Sequence, residues 1–396
     1  MSGPERDYYC SYKFKFLKID LESKTTYNCH AAAPHPIDFD WLNNNPGQLF
    51  NTDTSINERQ QMLNNQRNDS CEQNCWRAED FGAQSPRLYQ GGAKRTHDQL
   101  ITHPEIIDLT VGGDCNLTCS YCCKEFSSAW RRDIVNNGDY NISESDERFR
   151  ATNKDRVLLK ISQSELKSTT HYRTLLDEIF LNLSNLKTLV VTGGEPLLDN
   201  QLIDLLTNFA LPASLKIEMY TGLGVGLSRF KNFIDKLSKL KNLLLIVSAE
   251  GIDRHLEFNR YGIKWNEFDA KIKLLEQSGI QFKFQSQLSN LTVFGYSEFV
   301  RYFSLHPINL TFVYQPHMMA PHVLDTVSKQ QILNDILTLP EHMQRAINKS
   351  IQKQPTELER LNLREFLIEF VRRRPGIDLT IFPESFLKWM ELEHVV

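Results

Sequence analysis

The chain has 396 residues, 41% hydrophobic and 24% charged, a balance that supplies a large apolar core and length enough for two or three domains. Its net charge of −4 excludes a global electrostatic pull towards nucleic acid or anionic membrane. No window holds the run of about 18 or more apolar residues that a spanning helix needs, and residues 1–7 lack the apolar stretch of a secretory signal. A cytoplasmic chain is therefore expected, in which grouped thiols serve metals or catalysis rather than disulfides.

Residues 1–100 read as a first unit, rich in Asn, Gln and aromatics. From Tyr12 the sequence alternates polar and apolar up to Asp20, as a half-buried strand does. A second strand over 24–28 closes a hairpin that carries Cys10 towards Cys29. Residues 57–68 suit a helix, with Cys71 and Cys75 just past its end.

From Ile106 onward strands and amphipathic helices alternate. Strands are expected at 106–111, 186–192, 215–220, 243–248, 282–288 and 310–314, with helices at 171–183, 227–240, 266–277 and 297–305. The polar stretch 133–153 reads as a loop inserted in the first repeat. Six β/α repeats argue for a parallel sheet covered by helices, with chemistry at the C-terminal strand ends. From 328 the chain is largely helical, and Arg372-Arg373-Arg374-Pro375-Gly376 ends one helix.

Eight cysteines fall into two groups: Cys10, Cys29, Cys71 and Cys75, then Cys115, Cys119, Cys122 and Cys123. The second group follows the first strand of the repeats as C-x3-C-x2-C. Three thiols on one short loop suit a [4Fe–4S] cluster and leave its fourth iron open. A structural zinc knot is the competing reading, although zinc takes four protein ligands and Cys123 leaves the chain in a different direction from Cys122. At the end of the second strand, Gly193-Gly194-Glu195-Pro196 offers close backbone approach and an acceptor for an ammonium, or simply a strand-to-helix turn. At the end of the fourth, Ser248-Ala249-Glu250-Gly251 precedes His255 and Arg260. A hydroxyl and a carboxylate there suit a ribose and an Arg suits a carboxylate, against the plainer reading of a capped loop with a solvated helix.

Taken together, C-x3-C-x2-C, then G-G-E-P, then S-x-E-G with an Arg following, resemble the radical S-adenosylmethionine (radical SAM) superfamily over roughly residues 102–315. The resemblance implies a partial (β/α)6 TIM-like barrel at 101–327, with a small Fe–S domain at 1–100 and a helical extension at 328–396. It implies that Cys115, Cys119 and Cys122 hold a [4Fe–4S] cluster. Gly193, Gly194 and Glu195 would then face the amino group of S-adenosylmethionine, Ser248 and Glu250 its ribose, and Arg260 its carboxylate. Tyr121 stands where the family has an aromatic beside cluster and adenine. The family more often has Asp where Glu250 stands. Cys10, Cys29, Cys71 and Cys75 suit a second cluster or a zinc ion, and their unit resembles a twitch domain, the short form of the SPASM auxiliary-cluster domain, placed before the barrel instead of after it.

The implied activity is reductive cleavage of S-adenosylmethionine followed by hydrogen abstraction from a substrate, with an electron donor such as flavodoxin or ferredoxin. A peptide or protein side chain is the first substrate reading, by analogy with twitch and SPASM relatives. A small polar metabolite, such as an amino sugar or nucleotide, is the second, and RNA the third. A non-catalytic zinc-bound interaction protein is the rival from another class. No catalytic residue is assigned.

The remaining signals are smaller. Cys123 reads as a buried thiol. Gly222, Gly224 and Gly226 form a loop without dinucleotide-binding spacing. Trp130, Arg131 and Arg132 either line a substrate entrance or start a helix. His317 and His322 read as solvated loop residues, with the barrel mouth as the alternative.

Overall fold

The computed structural model describes residues 7–143, 147–160 and 170–394. The protein is mixed α/β, with a large, mainly parallel sheet and many helices. Its strands are β1 (Phe16–Asp20), β2 (Thr25–Tyr27), β3 (His35–Pro36), β4 (Ile106–Thr110), β5 (Thr118–Cys119), β6 (Thr188–Thr192), β7 (Lys216–Thr221), β8 (Leu243–Ser248), β9 (Arg260–Tyr261), β10 (Gln281–Leu288) and β11 (Ile308–Phe312). No helix among the described residues is long and apolar enough to cross a membrane.

The chain forms two compact units, and these cut across the expected divisions at 100 and 327. The first comprises described residues 7–112, 170–193 and 208–218; the second comprises 113–143, 147–160, 194–207 and 219–394. The reason lies in β1. It pairs in parallel with β4 from Phe16↔Ile106 to Asp20↔Thr110, so the N-terminal stretch and the first strand of the repeats share one sheet.

In the first unit the strands run β3-β2-β1-β4-β6. The hairpin expected between 12–20 and 24–28 is present as antiparallel β1 and β2, with Lys18 opposite Tyr27. β4 and β6 pair in parallel, Ile106↔Thr188 through Thr110↔Thr192, so their C-terminal ends align. Leu17, Ile19, Ile107, Leu109, Leu189 and Val191 are buried, at alternating positions along the pleat. The expected helix at 57–68 runs instead from Asp53 to Leu63, started by Thr52, whose hydroxyl accepts from Ser55 N. Cys71 and Cys75 follow it in two tight helical turns, Asp69–Cys71 and Glu72–Trp76.

In the second unit β8, β10 and β11 are parallel neighbours, Gln285 opposite Ser248 and Leu288 opposite Phe312. The helices Leu227–Leu237, Trp265–Ser278 and Tyr296–Tyr302 stand close to where helical periodicity places them. The stretch 133–153, expected as a polar insertion, includes 144–146, which lie outside the described residues. Its described part is not simply polar: Tyr140, Ile142 and Phe149 are buried. Tyr140 and Phe149 pack around Trp130 and Phe366, a cluster of rings that ties this stretch to the C-terminal helix Glu357–Arg372. That helix begins with a reciprocal cap between Thr356 and Glu359.

Candidate metal centre and its surroundings

The cysteine loop leaves β4 and enters the second unit at Gly113. Cys115 and Cys119 are buried, and Cys122 is partly exposed. The loop is held from three sides within that unit. Ser127 Oγ donates to Leu117 O at 2.6 Å and caps the helix Ser128–Asn137. Trp130, fully buried on that helix, donates its indole N–H to Cys119 O at 2.9 Å. Arg374, just past the C-terminal helix, donates Nε to Thr118 Oγ1 at 2.9 Å and Nη1 to Tyr140 Oη at 3.0 Å. Thr118 and Cys119 pair with Tyr261 and Arg260 as the short antiparallel ladder of β5 and β9.

Arg260 joins the loop to the end of β8. Its Nε and Nη2 donate to Glu250 Oε2 and Oε1 at 2.9 and 2.8 Å. Nη2 also donates to Tyr121 Oη, which donates to Glu250 Oε1 at 2.8 Å. Nη1 reaches Cys119 Sγ at 3.8 Å. Burial would push the Arg260 pKa down, but Glu250, Tyr121 and Cys119 hold it well above its ordinary value. Glu250 and Arg260 were expected to meet the ribose and carboxylate of a cofactor. Here they bond to each other, as opposite charges do when neither is left to water. Tyr121 contributes its hydroxyl to the pair. Ser248 stands at the last position of β8, partly exposed.

Glu195 is buried and fully engaged. Its carboxylate accepts from Thr221 Oγ1 at 2.6 Å, Gly222 N at 3.0 Å, Gly224 N at 2.9 Å and Leu197 N at 3.2 Å. Burial raises its pKa, and these donors offset part of the rise. The glycine loop after β7, set aside in the sequence for want of a phosphate-binding spacing, is thus the partner of the G-G-E-P turn. Close approach explains two of the glycines: a Cβ at Gly194 would lie 2.5 Å from Asp114 O, and one at Gly224 2.8 Å from Asn116 Oδ1. The turn is pinned further by Glu195 N donating to Asp114 O at 2.8 Å. Gly193, which ends the first unit's part of this turn, adopts φ +130°, with Gly112 O at 2.8 Å from where its Cβ would be.

The three thiols stand near enough to feel one another's charge. Burial, then Cys119 and Glu195, push Cys115 up to about 12. Burial also raises Cys119, against the opposing pull of Arg260. Cys122 is raised by its contact with Cys123, then by burial. Such thiols stay protonated until a metal takes them as thiolates. Among the described residues no three His, Cys, Asp or Glu side chains converge on one point as ligands of a single ion. A cubane cluster binds each thiolate to a different iron and so takes a wider set. Three thiols on one loop, two of them buried and one partly exposed, with an N–H aimed at the sulfur of Cys119, suit such a group.

The four early cysteines meet in the first unit. Cys10, Cys29, Cys71 and Cys75 line one small cavity with Tyr12, Lys13, Trp76 and Arg87. Cys10, Cys71 and Cys75 belong to an apolar cluster built on Tyr9, Phe14, Met62 and Trp76. Burial, then Cys29, push Cys10 up to about 12; burial pushes Cys71 up to about 11. Two buried ion pairs flank the cavity, Lys13–Glu58 at 2.6 Å and Arg87–Glu79 at 2.6 Å. Four thiols facing one cavity are a donor set for a cluster without an open iron.

Other expectations resolve differently. Trp130 and Arg131 are buried and Arg132 is exposed, all on the first turns of the helix Ser128–Asn137, as a helix start requires. His317 is exposed, as expected of a solvated loop, but His322 is buried against Glu359 at 3.2 Å. Cys123 is buried. Sequence reasoning missed the support that Trp130 and Arg374 give the loop. The only signal for Arg374 was a basic run that reads as an ordinary helix end.

No family model matches the chain. The 7-carboxy-7-deazaguanine synthase of Clostridium acetobutylicum is 26% identical over 119 residues, which are 30% of this chain. The aligned stretch spans 38% of that relative's length. Among solved structures, native anSMEcpe with bound AdoMet is similar over 53% of this chain and 52% of its own, at 15% identity and a TM-score of 0.33. SuiB of Streptococcus suis bound to S-adenosylmethionine is similar over 76% of this chain and 60% of its own, at 13% identity and a TM-score of 0.30.

Proposed function

We propose that the chain is a radical S-adenosylmethionine enzyme in which Cys115, Cys119 and Cys122 hold a [4Fe–4S] cluster. The observation that carries this reading is the C-x3-C-x2-C loop leaving β4, its backbone held by β9 and Trp130 and its Thr118 side chain by Arg374. Three ligands leave one iron for the amine and carboxylate of S-adenosylmethionine. The likeness to 7-carboxy-7-deazaguanine synthase adds support. When bound and reduced by an external donor such as flavodoxin or ferredoxin, the cluster would supply the one electron that reductively cleaves the sulfonium of S-adenosylmethionine.

The protein's own part is to place and shield. The turn Gly193–Glu195 would face the amino group of S-adenosylmethionine, while the Glu195 carboxylate fixes the glycine loop beside it. Ser248, at the end of β8, would approach the ribose. The parallel pairing of the strands within each unit supports a partial (β/α)6 barrel. In the first unit Cys10, Cys29, Cys71 and Cys75 hold a second, fully ligated cluster in a twitch-like arrangement; the cavity that all four line supports this.

The substrate in this reading is a peptide or protein side chain. The likeness to an enzyme named for a deazaguanine product favours a second reading, a small polar metabolite. One experiment tests the common core. Protein purified without oxygen and reconstituted with iron and sulfide is mixed with S-adenosylmethionine and dithionite. It is expected to release 5′-deoxyadenosine and methionine. Iron-loaded protein that leaves S-adenosylmethionine intact overturns the proposal.

A further inference from the structure

We infer that Arg260 is a positioning residue for Cys119: it holds that ligand and sets the electron affinity of the group bound there, and it does not clamp the carboxylate of S-adenosylmethionine. The inference rests on the reading of Cys115, Cys119 and Cys122 as cluster ligands.

A guanidinium grips a carboxylate by a fork of two parallel N–H groups, either Nε with one Nη or the two Nη together. The first fork of Arg260 is closed on Glu250. The second hydrogen of Nη2 goes to Tyr121 Oη, which closes the other fork as well. What remains is Nη1, and it points at Cys119 Sγ at 3.8 Å. Arg260 and Glu250 are 4% and 2% exposed, so the pair is locked in place.

The backbone makes the same connection. Arg260 is the ladder partner of Cys119, and Ser120 N donates to Asn259 O at 2.8 Å. Ser120 Oγ bonds Asn259 Oδ1 at 2.9 Å. The glycine loop leaves room for the guanidinium: a Cβ at Gly222 would come within 3.4 Å of Nη1. Ligand and arginine are therefore carried by one rigid ladder. Within the triad the positive end faces the sulfur, and Glu250 lies behind it. A donor and a positive charge on a ligating sulfur favour the reduced form of an iron–sulfur group.

Arg260→Met and Glu250→Gln, each reconstituted without oxygen, test this. The readouts are the midpoint potential of the electron paramagnetic resonance signal that S-adenosylmethionine perturbs, and the affinity for S-adenosylmethionine by calorimetry. Arg260→Met is expected to make the potential more negative and leave the affinity nearly unchanged. Glu250→Gln unmasks the guanidinium and is expected to move the potential the opposite way, which decides the matter if Arg260→Met does not fold. An unchanged potential in every variant that loads iron overturns the inference. So does an affinity weakened by about tenfold or more, the loss expected for a charge-assisted carboxylate contact. If wild-type protein shows no signal that responds to S-adenosylmethionine, the functional proposal fails instead, and the two failures are distinct.

Discussion

The two sets of cysteines teach different things about how a chain groups its thiols. Cys115, Cys119 and Cys122 sit within eight positions of one another, and the fold's work is to stiffen the loop that already groups them. Cys10, Cys29 and the pair Cys71 and Cys75 come from three places in the chain, and only the hairpin β1–β2 and the turns after Asp53–Leu63 bring them to one cavity. The surroundings differ too. The loop set has a guanidinium directed at a sulfur. The scattered set lies in an apolar cluster flanked by two buried ion pairs. We read the first as a site with an open position and the second as closed.

The sharpest break between the two sets comes from removing one ligand of the first. Cys119→Ala is expected to abolish the release of 5′-deoxyadenosine while iron at the early cysteines persists. Product formation at the wild-type rate would end the assignment of the loop. The next effect is on stoichiometry. Cys71→Ala with Cys75→Ala is expected to remove about half of roughly eight irons per chain, if both groups are cubanes, and to leave the signal that S-adenosylmethionine perturbs. Unchanged iron content would show that this pair holds no cluster.

This contrast also explains what was legible before the structure. A motif closed within one loop can be read from spacing alone. The alternation of strands and helices was equally plain, because β8 and the helix Trp265–Ser278 each carry their own periodicity. Partners far apart in sequence were not legible. Nothing at Glu195 announces that it will accept from Gly222 and Gly224, and nothing at Arg374 announces Thr118. The pairing of β1 was hidden for the same reason: β1 looks like part of a separate hairpin until its parallel pairing with β4 is seen. Nothing at Glu250 or Arg260 taken alone announces that the two side chains bond each other.

A smaller effect concerns the charges that flank the early cysteines. Glu58 accepts from Lys13 at 2.6 Å and Asn28 at 2.7 Å, and His35 Nε2 lies 3.3 Å away. Burial pushes its pKa up, but His35 and Lys13 outweigh burial and bring it from 4.5 down to about 2. A depressed carboxylate stabilises the fold above its unfolded pKa and loses that contribution as pH falls through the folded one. The increment is on the order of 3 kcal/mol and fades between about pH 4.5 and 2. Glu58→Gln should lower stability at pH 7 by about this much, since it also leaves Lys13 buried without its counter-charge. Urea unfolding at pH 7 and near pH 3 measures it. The gap between variant and wild type must narrow at the lower pH, and a gap of constant size would show that Glu58 acts by packing alone.

The smallest effect isolates the support of the loop from its ligands. Trp130→Phe keeps an aromatic ring among Tyr140, Phe149, Phe366 and Phe370 but removes the N–H that meets Cys119 O at 2.9 Å. One neutral hydrogen bond contributes about 1 kcal/mol, and the carbonyl it served would be left buried. No thiol is altered, so the cluster should still assemble. What should change is how firmly the loop keeps it. Loss of iron to a chelator should quicken by about fivefold at the loop, the equivalent of ~1 kcal/mol, with no change at the early cysteines. If both sets released iron faster by the same factor, the substitution would have weakened the fold as a whole. If neither changed, the indole would be packing and the ladder with β9 would hold the loop unaided.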